Sequence, residues 1–162
     1  MKNLSLRLER FLPYRISRLD NEISNGLARA YGPQFNLNVA QWRMLAAAAH
    51  LQPTCVTELT EYSAMDKVTV SRAVADLVER KLFHREVDAR DRRRSIITLT
   101  PAGEDMYGQI APQAVAFEDA LLESLSAKEI ENFTKTLDHL LDRIAVLQRG
   151  SVGLIPGRRA SA

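Results

Sequence analysis

The 162 residues carry 22 Lys and Arg against 20 Asp and Glu, a net charge of +2, with 46% hydrophobic and 26% charged residues. Such a chain has enough apolar material for the core of one domain, or of a small domain with an added oligomerisation element, and its total charge gives no reason to expect a polyanion partner. The single cysteine, Cys55, excludes an internal disulfide; no apolar run is long enough to span a membrane, and Arg7, Glu9 and Arg10 interrupt the N-terminal leucines as no secretory signal would, so a cytoplasmic protein is expected.

Leu4, Leu8, Phe11, Leu12, Ile16, Leu19, Ile23 and Leu27 recur at steps of three and four, which predicts one amphipathic helix with a kink or break at Pro13 and a stop at Tyr31-Gly32-Pro33. Asn38 is placed to cap a second helix that carries Val39, Trp42, Leu45 and Ala46 toward His50, and Pro53 breaks the chain after it. Thr57 to Tyr62 predicts a short third helix, and Ser63-Ala64-Met65 a tight turn. The Asp66 carboxylate can then accept the amides of a fourth helix whose apolar stripe is Val70, Val74, Leu77 and Val78.

Leu82 to Val87 and Ser95 to Thr100 read as two strands around an arginine-dense tip. Arg80 to Arg94 holds seven basic and three acidic residues, whereas Pro101 to Gln148 holds three basic and nine acidic, so a basic contact surface stands on an acidic support. Thr100 and Pro101 open a fifth helix as cap and first residue. Ser126 and Glu129 form the capping box of a sixth, whose stripe runs through Ile130, Phe133, Leu137, Leu140, Leu141, Ile144 and Leu147. Residues 150–162 are expected to be a disordered tail.

A helix with a polar outer face followed by a basic hairpin is a winged helix-turn-helix. With Val70, Val74 and Leu77 inward, Lys67, Thr69, Ser71, Arg72 and Asp76 are left outside or flanking. Arg72 suits a bidentate pair with guanine, Thr69 can offer hydroxyl or methyl to thymine, and Lys67 and Ser71 suit phosphates, with Thr57 and Thr60 as further phosphate candidates. Arg90, Arg92, Arg93 and Arg94 on the wing suit the narrow, negative minor groove beside it. The plainer reading is that these are helix-start polarity and a solvated charge run. The stripes of the first and last helices exceed what a minimal winged helix covers, and packing the termini of two chains together would bury them.

Trp42-Arg43-Met44-Leu45, Asp66-Lys67-Val68-Thr69-Val70-Ser71-Arg72, and Asp88-Ala89-Arg90-Asp91-Arg92-Arg93 followed by Leu99-Thr100-Pro101-Ala102-Gly103 resemble the MarR family of bacterial transcription regulators over about Leu4 to Gln148. The resemblance implies a mainly α fold with a small β-hairpin wing. Its dimerisation helix occupies residues 1–36, its winged helix-turn-helix 37–100 and its C-terminal dimerisation helices 101–149. It implies a homodimer that binds an inverted repeat as a regulator, usually a repressor, released by a small molecule or an oxidant. It also implies Arg93 as the inserted wing tip, Asp91 as its support, and Arg90, Arg92 and Arg94 divided between phosphates and intrachain partners such as Asp88. In this family ligands often lie between the dimerisation helices and the winged helix. Tyr14, Arg15, Arg18, Trp42, Arg43 and His50 are candidates there for an anionic aromatic ligand, an acid or its thioester. Core packing and surface ion pairs would account for the same residues.

No metal or cofactor is expected, because His50, His84 and His139 are scattered and no Cys-His cluster has ligand spacing. Nothing basic flanks Cys55 in sequence, and the cysteine near the N-terminus that the family's peroxide sensors use is absent. A redox-responsive repressor using Cys55 stands as an alternative, as does an architectural DNA-binding protein without an effector. Catalysis is not expected: there is no glycine-rich phosphate loop, no nucleophile with a base at workable spacing and no metal cluster.

Overall fold

The computed structural model describes residues 6–89, 91, 92 and 94–149. The expectations for Leu4, Arg90, Arg93 and the tail 150–162 fall outside these residues. The chain divides into two compact units, one ending at Phe117 and the other beginning at Glu118.

The first unit opens with a 3-10 turn at Leu8–Arg10 and an extended Phe11, and helix α1 then runs Leu12–Phe35. Of the kink or break expected at Pro13, the structure has the break: the chain is extended at Phe11, and Pro13 stands in the first turn of α1, where its missing amide hydrogen costs nothing. The expected stop at Tyr31-Gly32-Pro33 moves. α1 continues for the last turn because Phe35 and Leu37 bury their side chains there, and Asn36 ends it in the left-handed conformation, φ 51°, donating its amide to Gly32 O at 2.8 Å. Arg80 then donates to Phe35 O and Asn36 O at 2.9 and 2.8 Å, satisfying carbonyls that the helix end leaves over.

Helix α2, Val39–Leu51, begins on the capping box of Asn38 and Gln41. Helix α3 spans Val56–Ser63, with Ala64 turning the chain at φ 52°. Helix α4, Lys67–Glu79, starts where Asp66 accepts Val68 N and Thr69 N, both at 3.0 Å. The cap fixes the rotation of α4. Val70, Ala73, Val74 and Leu77 point inward onto Met44, Leu45, Ala48 and Leu59, and these make one core with Phe83, Ile97, Leu99 and Ile110.

Strands β1, Phe83–Val87, and β2, Ser95–Leu99, pair antiparallel in the register Phe83↔Leu99 to Val87↔Ser95. Thr54 adds a bridge to β2, exchanging hydrogen bonds with Ile97 at 3.0 and 2.8 Å, and Gln52 Oε1 accepts Leu99 N. The wing is thus stitched to the chain that leads into α3. Helix α5, Pro101–Leu122, is capped by Thr100, whose Oγ1 accepts Gly103 N at 3.1 Å and donates to Lys81 O at 2.7 Å.

The second unit holds the end of α5 and helix α6, Ala127–Arg149. α6 starts on the Ser126–Glu129 capping box, and the Ser126 hydroxyl and amide hold the Glu129 carboxyl below its ordinary value. None of its residues is buried, and Phe133, Leu141 and Ile144 are exposed. No described helix is long and apolar enough to cross a membrane.

Candidate nucleic-acid interface and adjoining cleft

The outer face of α4 follows from its buried stripe. Lys67, Ser71 and Arg72 are exposed, as the sequence predicts, and Asp76 is exposed while accepting Gln41 Nε2 at 3.3 Å. Thr69 differs. It is half-buried, and its hydroxyl donates to Asp66 Oδ2 at 2.6 Å, so the cap engages the group expected to address a base. These bonds, the Thr69 hydroxyl first, hold the Asp66 carboxyl below its ordinary value. The sequence reading passed over Val68, which is 58% exposed on the first turn of α4. On α3, Thr57 is exposed, whereas the Thr60 hydroxyl bonds back to Val56 O at 2.6 Å.

On the wing, Arg92 is exposed. Asp91 O accepts Arg94 N at 2.9 Å and Asp88 N donates to Arg94 O at 3.1 Å, so both aspartates shape the tip through their backbones. The side chain of Arg94 turns back. Its Nη2 meets Glu58 Oε1 at 3.1 Å and Cys55 Sγ at 3.4 Å, while Glu58 Oε2 accepts the Thr54 hydroxyl at 3.0 Å. Arg94, grouped by sequence with the DNA-facing arginines, is engaged in fastening the wing to the start of α3. Cys55 is buried, and it has a guanidinium against it that sequence adjacency could not reveal, since Arg94 lies 39 residues on.

Beside α2 lies a cleft of about 400 Å³ lined by Trp42, Arg43, Ala46, Ala47, His50, Tyr62, Ser63 and Tyr107. Of the six residues expected around a ligand, Trp42, Arg43 and His50 come together here. Tyr14, Arg15 and Arg18 do not line it; they stand exposed on the early turns of α1, well before the buried end at Tyr31. Tyr62 and Tyr107 were missed, because only the fold brings α3 and α5 to this wall. Tyr107 stacks on Trp42 at 6.1 Å and 17°, and Tyr62 lies 5.6 Å from His50. Arg43 is held by Asp20 at 2.7 Å and the Ser24 hydroxyl at 2.8 Å. Behind Trp42, burial pushes the Tyr31 phenol up to about 12 against the opposing charge of Arg43. Among the described residues, no group of three or more His, Cys, Asp or Glu is placed to hold a metal ion.

The fold has counterparts among known proteins. Residues 35–94 match the model of the MarR family. The chain is 29% identical over 99 residues to an uncharacterized HTH-type transcriptional regulator of Staphylococcus aureus, covering 55% of this chain and 68% of that one. Its fold matches a MarR/EmrR family transcriptional regulator from Acinetobacter sp. ADP1 with a TM-score of 0.79 at 24% identity, over 86% of this chain and 99% of the other. It also matches CouR from Rhodococcus jostii RHA1, solved bound to p-coumaroyl-CoA, with a TM-score of 0.71 at 20% identity, over 84% and 96% of the two chains.

Proposed function

We propose that the chain, whose residues 35–94 match the MarR family, is a winged helix-turn-helix transcriptional regulator acting as a homodimeric repressor of an inverted-repeat operator, released by a small anionic aromatic ligand. The observation that carries the DNA-reading part is α4 itself. An aspartate cap locks the helix in rotation, its apolar stripe is fully engaged in the core, and Arg72 stands on the opposite side, where a major groove would receive it. Lys67, Ser71 and Thr57 are the phosphate contacts in this reading. The wing arginines Arg90, Arg92 and Arg93 address the minor groove, and Asp88, Asp91 and Arg94 shape and fasten the wing. Dimerisation through residues 1–36 and 101–149 is supported by the apolar side chains that each unit leaves exposed, among them Phe11, Leu12, Ile16 and Leu19 in α1 and Phe133, Leu141 and Ile144 in α6.

The cleft supports the ligand class. Trp42 and Tyr107 offer stacked aromatic walls, and Arg43 and His50 supply cationic or donor groups at its edge. The thioester held by CouR belongs to the same chemical class, an aromatic acid or its derivative. A ligand of this kind releases DNA only if it favours a dimer geometry that no longer fits the operator. Footprinting on a library-selected duplex, repeated with a panel of aromatic acids and their coenzyme A thioesters, tests both halves. Two protected half-sites about one helical turn apart, lost on adding one of the panel, are expected. Uniform coverage of any duplex would favour an architectural protein instead.

The contact of Arg94 with Cys55 favours a second reading, a redox-responsive repressor in which oxidation of Cys55 disturbs the wing fastening. Release by peroxide, reversal by dithiothreitol and indifference to the whole ligand panel would select it.

A further inference from the structure

We propose that Val68 is a specificity-determining residue that reads the C5-methyl group of a thymine lying close to the guanine addressed by Arg72. The inference rests on the DNA-reading role proposed above and deepens it by naming a chemical feature of the half-site.

The rotation of α4 carries the assignment. Successive residues of an α-helix turn by about 100°. Counted from the buried stripe of Val70, Ala73, Val74 and Leu77, the outward sector holds Val68 and Arg72, four residues apart, at the start of the helix, with Ala75 and Glu79 following toward its end. Lys67, Thr69 and Ser71 fall to the flanks. Val68 and Arg72 stand about 6 Å apart along the axis, a span of roughly two base-pair steps. Whatever groove receives Arg72 therefore receives Val68 beside it.

An exposed valine has little to offer most of that surface. It can donate to no phosphate and pair with no base edge. In the major groove its complement is the thymine methyl, the one apolar group on a base edge. The neighbouring polar groups of the helix start are already engaged: Asp66 Oδ1 accepts Val68 N and Thr69 N, and Asp66 Oδ2 accepts the Thr69 hydroxyl. The first turn thus presents an isopropyl group, 58% exposed, ahead of a guanidinium, a pairing that suits a thymine and a guanine about two base-pair steps apart.

The test replaces thymines one at a time by deoxyuridine, which lacks only the methyl, in the consensus duplex selected from a randomised DNA pool. The full-length chain is titrated by fluorescence anisotropy. One thymine in each half-site should lose about fourfold in affinity, the worth of one buried methyl, and replacing both about fifteenfold. In Val68→Ala that penalty should fall below about 1.5-fold. In Thr69→Ser, which keeps the capping hydroxyl and removes the neighbouring methyl, it should persist. Because Val68 is exposed, Val68→Ala should melt like the parent, which keeps the comparison clean. A consensus in which no thymine responds to uracil overturns the proposal alone, as does a penalty that survives Val68→Ala or vanishes in Thr69→Ser. A selection that returns no consensus removes the sequence-specific reading, and this proposal with it.

Discussion

Gly103 offers the sharpest check on how the wing is rooted. A Cβ at this position would lie 2.2 Å from Leu82 O and 3.1 Å from Leu82 C. The obstacle is backbone, and the same carbonyl accepts Thr100 N at 3.0 Å, so it cannot swing away as a side chain would. Elsewhere in a helix, Gly→Ala stabilises by about 1 kcal/mol. Here relieving the overlap requires a shift of about 1 Å in a packed junction, which places the cost near the upper end of overpacking, about 3 kcal/mol. The net expectation for Gly103→Ala is a loss of about 2 kcal/mol, or roughly 1 M in the urea midpoint. Gly108, in the same helix, is the control: a Cβ there meets nothing within 4 Å, so Gly108→Ala should gain up to about 1 kcal/mol. Both are measured by urea titration followed by circular dichroism at one fixed protein concentration, since the stability of the proposed dimer would depend on it. Leu82 precedes the first residue of β1, so folded Gly103→Ala should also bind DNA more weakly than the parent. Equal midpoints for the two variants would refute the close approach of α5 to the wing root.

Other expectations follow from single contacts. Asp66→Ala should lower the melting temperature by removing the α4 cap. The Asp66 carboxyl lies below its ordinary value in the folded chain, so its contribution is present above the unfolded carboxyl value and is lost as pH falls through the lower, folded one. The amide resonances of Val68 and Thr69 should report this in an acid titration, and their indifference to pH would count against the cap. Glu58→Gln should leave the melting temperature nearly unchanged, because an exposed ion pair such as that with Arg94 adds little stability, yet weaken DNA binding by loosening the wing. Unaltered affinity in that variant would show that the fastening is unused. Trp42→Ala should abolish heat of binding for any aromatic effector, at a stability cost of about 3–5 kcal/mol because Trp42 belongs to the buried core. Tyr62→Ala, at the exposed rim, is the milder companion that should weaken the effector without unfolding the chain.

Those elements whose determinants are local were legible in the sequence. The Asp66 cap, the stripe of α4, the strand limits around the basic tip and the Thr100–Gly103 opening of α5 each depend on residues within a few positions. Where the sequence failed, the deciding partner was distant or the signal had two meanings. Pro13 reads equally as a kink or as a break, and only the extended Phe11 before it decides for the break. The last turn of α1 survives Pro33 because one distant residue, Arg80, 44 positions after Asn36 and 45 after Phe35, donates to both of their carbonyls. Arg94 looked like its neighbours until Glu58 and Cys55 claimed its guanidinium. Three of the eight lining residues, Trp42, Arg43 and His50, were found from α2 alone; Tyr62 and Tyr107 carry no local mark, and Tyr14, Arg15 and Arg18 were grouped with it by type and not by place. Val68 was overlooked because an apolar residue on a polar face reads as noise until the rotation of the helix is fixed.

The most direct measurement is the affinity of the full-length chain for its selected duplex against a scrambled duplex of the same composition, for the parent and for Arg72→Ala, at one stated salt concentration. The parent should prefer the selected duplex by at least about a thousandfold. Arg72→Ala should lose about 1–3 kcal/mol per half-site on it and relax the preference at one base pair. A parent that binds both duplexes alike, or an Arg72→Ala chain whose preference is undiminished, would contradict the assignment of α4 as the reading helix.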